Sequence, residues 1–85
     1  MSKSDFTLRF SKLLRQTRVA KGMSQEQLAN KAGVHRTHIS LIERNRRSVR
    51  LETLERLARA MDIEPAKLLP SVFKRRGAAS NAPSR

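Results

Sequence analysis

Residues 35–40 read His-Arg-Thr-His-Ile-Ser. Five of these six side chains carry hydrogen-bonding groups. They open a segment in which Ile39 and Ile42 recur at the three-residue step of a helix face. Two imidazoles three apart, His35 and His38, have the chemistry to hold a metal ion or move a proton. A metal site needs more ligands, and the chain has no cysteine and no carboxylate beside that pair, so no metal or other cofactor is expected. There is also no glycine-rich phosphate loop, no cysteine nucleophile and no obvious carboxylate pair. A chain of 85 residues has little room for a cleft, so an enzyme is not expected. Recognition remains. Arg36 offers a planar fork of five N–H donors, and Thr37 and Ser40 each offer a hydroxyl.

The charge balance narrows what would be recognised. Nineteen Lys and Arg face seven Asp and Glu, a formal net charge of +12. That excess favours a polyanion, since each neutralised phosphate releases condensed counterions. By itself it fits DNA, RNA or an acidic membrane surface. No apolar run approaches the ~18 residues of a membrane span, and the first ten residues lack the apolar segment of a signal peptide. A cytoplasmic protein with no membrane partner is expected.

The reading elements need a body to hold them, and the periodicity supplies one. Phe6, Phe10, Leu13, Leu14 and Val19 mark a first helix over 6–21, stopped by Gly22. Ser24 and Gln27 form a capping box for a second, with Leu28, Ala29 and Ala32 buried and Gly33 at its end. A third runs from about residue 35 to 43 or 44, with Ile39 and Ile42 inward and Asn45 closing it in a left-handed conformation. Leu51, Leu54, Leu57, Ala58 and Met61 mark a fourth. Pro65 starts a fifth over 64–69, which Pro70 ends. The expected fold is all-α and compact, with one five-helix domain over residues 6–73. A flexible start at 1–5 and a disordered basic tail at 74–85 flank it.

Helices two and three, joined by a short turn around Gly33, make a helix-turn-helix. A helix set end-first into a major groove about 12 Å wide touches base edges only with its first turn or so. Those positions should be polar and the later ones apolar, as in His35–Ile42. The run MSQEQLA, then KAGV, IS-x-IERN, LETLERLARAM and I-E-P-A-K-LL, in this order and spacing, resembles the lambda-repressor-like or XRE-type family of DNA-binding domains. The resemblance covers roughly residues 8–69. The HRTHISLIERN segment is similar to small controller proteins of restriction–modification systems.

The resemblance implies a homodimer on a near-palindromic operator in double-stranded DNA. Arg36 and Thr37 then read bases, with His35, His38 and Ser40 beside them. Gln25, Asn45, Arg46 and Arg47 contact the backbone, in a basic cluster with Arg44 and Arg50. Arg18 and Glu43 form a structural salt bridge. The apolar residues Leu68, Leu69, Val72 and Phe73 exceed what a monomer needs and suit a two-fold interface. Two departures from the family pattern stand out. Arg50 occupies the usual Ser cap of helix four, and Thr17 stands where relatives often place Leu or Ile. The implied function is a sequence-specific transcription regulator that blocks or recruits RNA polymerase, autoregulatory in the manner of a controller or phage repressor. The alternative is an XRE-type antitoxin whose main partner is a toxin.

Overall fold

The computed structural model describes residues 5–70. Among them the chain forms four α-helices, Asp5–Ala20 (α1), Gln25–Ala32 (α2), Arg36–Glu43 (α3) and Leu51–Ala60 (α4), and then a 3-10 turn at Pro65–Leu68. No strand occurs among the described residues. α1 begins at Asp5, whose carboxylate suits a helix N-terminus and lies 3.5 Å from Arg9 one turn on.

All four helices stop in the same way, which keeps the connections short. Past each one, a single residue turns left-handed: Gly22 (φ 71°), Gly33 (φ 73°), Asn45 (φ 57°) and Asp62 (φ 59°). The next amide then reaches back five residues to a carbonyl in the closing turn of the helix. Met23 donates to Arg18 O at 3.1 Å, Val34 to Ala29 O at 3.0 Å, Arg46 to Leu41 O at 2.8 Å and Ile63 to Ala58 O at 2.9 Å. This is the Schellman closure, which usually seats an apolar side chain on the helix it ends. Met23, Val34 and Ile63 pack on the core as that rule requires. Arg46, in the same position after α3, is exposed.

At the other ends the caps differ in quality. The Ser24 hydroxyl accepts from the Gln27 amide at 3.0 Å, and the Gln27 side chain accepts from the Ser24 amide at 2.8 Å. This capping box fixes where α2 begins. α4 begins at Arg50 with no side-chain cap bond, so its first amides lack the partner that a Ser there would supply.

The core lies between α2 and the helices around it. α2 packs on α3 and α4, while α1 packs on α3 and on the 3-10 turn. Leu14, Leu28, Ile39, Ile42, Leu57 and Leu68 are completely or almost completely buried, each worth about 1.5–3 kcal/mol of apolar burial. Helices of eight residues, the length of α2 and α3, are unstable alone; this shared core is what holds them.

Four sequence expectations need correction. The fifth helix is only a 3-10 turn, because Pro70 forces Leu69 into an extended conformation (φ −96°, ψ 129°) and so leaves no length for α-helix. Leu68 is fully buried in its own chain, so it belongs to the core and has no surface to offer a partner. Val19, on the outer face of α1, is 58% exposed. Leu51 shares a stripe with Leu54 but sits at the first position of α4, beyond the core layer, and is 81% exposed. Val72, Phe73 and the basic tail lie outside the described residues.

Candidate nucleic-acid interface

The aim of α3 is set by a buried ion pair. Arg18 Nε donates to Glu43 Oε2 at 2.7 Å and Arg18 Nη2 to Oε1 at 3.0 Å. The side chains are 11% and 3% exposed. The remaining Arg18 nitrogen, Nη1, donates to Met23 O at 2.8 Å, so the guanidinium also holds the turn between α1 and α2. Gln25 Nε2 adds a third donor to Glu43 at 3.1 Å. The end of α3 is thereby tied to α1 and to the start of α2. A second tie comes from the buried Ser11 hydroxyl, which donates to Ile42 O at 2.8 Å. Ser11 stood outside the sequence reading, because one polar residue on a helix face gives no sign that its partner is a carbonyl 31 positions away.

The front of α3 is free of such ties. Arg36 and Thr37 are exposed, and Ser40 is half-buried. Together with Gln25, Glu26 and Arg44 they line an open groove between the start of α2 and α3. His35 is placed differently from a base reader within the helix. It is the N-cap residue, its Nδ1 accepting from the Thr37 amide at 3.3 Å. The sequence pattern counted it with the helix because a histidine is an unusual cap. His38 is half-buried, on the side toward Arg47. Burial lowers its pKa from the ordinary 6.5, and the Arg47 guanidinium pushes it the same way.

Charge is distributed unevenly around this front. On α4 the arginines are answered one turn away: Arg59 reaches Glu55 at 3.1 Å and Arg56 reaches Glu52 at 3.9 Å. Arg44, Arg46, Arg47 and Arg50 have no ion-pair partner among the described residues. All four are exposed and follow directly on α3. Asn45 is half-buried at their centre, its left-handed backbone turning the connector away from the helix. Gln25, whose amide is spent partly on Glu43, still borders the groove at the N-terminus of α2.

Residues 14–68 match the helix-turn-helix family model. The chain belongs to that family, in its XRE type. Among its relatives is the control protein C.BamHI of Bacillus amyloliquefaciens, 42% identical over 67 residues, which span 78% of this chain and 83% of that protein. The crystal structure of the restriction–modification controller protein C.AhdI from Aeromonas hydrophila superposes with a TM-score of 0.73 at 43% identity, covering 74% of this chain and 96% of that one. The controller protein C.Esp1396I, solved as a tetramer in complex with its natural 35 base-pair operator, gives a TM-score of 0.73 at 33% identity over 78% of this chain and 87% of that one. Within the family, the chain therefore groups with the restriction–modification controllers.

Two outcomes are expected from this geometry. Glu43→Ala leaves the Arg18 cation buried without its partner and should cost about 3–5 kcal/mol in urea denaturation, with Arg18→Leu/Glu43→Leu recovering part of the loss. The second concerns pH. The folded pKa of His38 lies below the unfolded value of 6.5, so between the two the unfolded chain binds more protons. Stability contributed by neutral His38 is then present above the unfolded pKa and falls as pH drops through that window. Thermal midpoints measured from about pH 7.5 to about 5.5 should fall, and His38→Gln should flatten part of that slope.

Proposed function

We propose that the protein is a sequence-specific operator-binding regulator of the controller type, with the exposed first turn of α3 entering the major groove. The observation that carries this reading is the division within α3 itself. Ile39, Ile42 and Glu43 are spent on the body, whereas Arg36 and Thr37 are exposed at the leading end. In this reading Arg36 pairs with O6 and N7 of a guanine, the commonest specific contact. Thr37, His38 and Ser40 touch neighbouring base edges, assisted by the cap residue His35. Gln25, Asn45, Arg46 and Arg47 take phosphates. No step of this action calls for catalysis or a cofactor.

The fold would act as a homodimer. An apolar groove of about 160 Å³ runs between α1, the connector and α4, lined in part by Phe6, Phe10, Val49, Leu51, Leu54 and Leu69. Of these, Leu51 is 81% and Leu69 44% exposed. Burying them against a second copy removes apolar surface that a small core leaves uncovered. Two reading helices would then face half-sites ~34 Å apart. The controller proteins among the relatives, one of them solved on its operator, favour the regulator reading over the antitoxin one. Contact with RNA polymerase bound next to the operator is part of the proposal.

Selection from a random duplex library should yield a two-fold symmetric motif. Arg36→Ala should blur one position per half-site at a cost of ~1–3 kcal/mol for the selected duplex, with little change on random DNA. Equal losses on both would mean that charge alone holds the DNA. In sedimentation, Leu51→Glu should shift the protein toward monomer while leaving its circular dichroism unchanged. A variant that stays dimeric would place the interface elsewhere.

A further inference from the structure

Two exposed features fall outside the functions assigned so far: the outer face of α1 with Lys12 and Arg15, and Glu26. The first is a solvated basic face with nothing to define its partner. Glu26 differs, because it is an acid on the rim of a groove otherwise lined by three arginines and neutral side chains. Its Oε1 lies 3.9 Å from Arg36 Nη1, and the two side chains are 67% and 64% exposed. At that distance the contact is an attraction between charges and not a hydrogen bond.

We infer that Glu26 is a specificity-determining residue that positions the guanidinium of Arg36 for its base and penalises binding to DNA that offers no such base. The inference rests on the assignment of Arg36 as a base reader. Two properties of the contact support it. First, it uses Nη1, which leaves the edge formed by Nε–H and Nη2–H open. That edge carries the two parallel donors a guanine requires. A carboxylate behind the fork restricts where a long side chain can swing, and so reduces the ordering needed on binding. Second, Glu26 sits in the first turn of α2, on the groove that the reading assigns to DNA. An anion there repels phosphate on every duplex. On random sequence nothing offsets that repulsion. At the cognate base the positioned Arg36 does.

The test compares four proteins: unchanged, Glu26→Gln, Arg36→Ala and the double variant. Each is titrated with the selected duplex and with a scrambled duplex of equal length at one fixed salt concentration. Glu26→Gln keeps the shape and removes the charge at an exposed site, so thermal midpoints should hardly move. The expected result is a ratio of selected to scrambled affinity that falls roughly two- to fivefold, mostly through tighter binding to scrambled DNA. In the Arg36→Ala background the same change should leave the ratio unmoved. Parallel tightening on both duplexes would overturn the inference, because Glu26 would then act as bulk charge alone. An equal loss of ratio without Arg36 would also overturn it. If Arg36→Ala leaves the selected motif intact, the base-reading assignment itself falls and this inference with it. An altered motif in Arg36→Ala beside an unchanged ratio in Glu26→Gln would remove only the role of Glu26.

Discussion

Glu43 is almost wholly withdrawn from water and answers three N–H donors, two from Arg18 and one from Gln25. Such a carboxylate is costly to bury unless its lone pairs are taken up, and here they are. The arrangement makes the direction of α3 depend on α1 and on the start of α2 together. Because Arg18 also holds Met23 O, one guanidinium fixes both a helix and the turn that follows it. The eight-residue α3 has no independent means of staying folded or of keeping its angle. It borrows both from this pair, from the Ser11 hydroxyl on the Ile42 carbonyl and from the apolar pocket that receives Ile39 and Ile42.

The residues that face solvent at the front of α3 are spared from this work. Arg36 and Thr37 contribute nothing to the core, so their identity is free to follow the ligand. The exposed Arg46 shows the same separation from the other direction. At three of four helix ends the residue after the left-handed turn is apolar and packed; after α3 it is a cation in water. Among the described residues, this local packing rule is broken only where an unpartnered basic run begins, the run proposed to take phosphates.

Much of this was legible in the sequence because it rests on local rules. The capping box at Ser24, the stops at Gly22, Gly33 and Asn45, and the buried faces of α2 and α3 follow from residue types a few positions apart. The Arg18–Glu43 contact was expected through family resemblance, since nothing local joins residues 25 apart. Other features escaped, three of them for clear physical reasons. The fifth helix failed because two prolines bracket too few residues. Leu51 followed the helical stripe correctly, but periodicity does not say where a partner helix ends. Glu26 drew no notice because a first-turn acid is already explained by the helix dipole, and its nearness to Arg36 exists only once two helices are folded together.

The four left-handed stops have a kinetic consequence. Each connection is closed by hydrogen bonds spanning five residues or fewer, so most of the chain's order is built between near neighbours in sequence. Helical domains dominated by such local contacts fold on the order of microseconds to milliseconds. With the proposed dimer as the acting form, the slow event after synthesis is the meeting of two finished monomers, a step whose rate grows with the square of concentration. On that proposal, the time at which an operator becomes occupied follows how fast protein accumulates, with the folding of each chain contributing almost no delay.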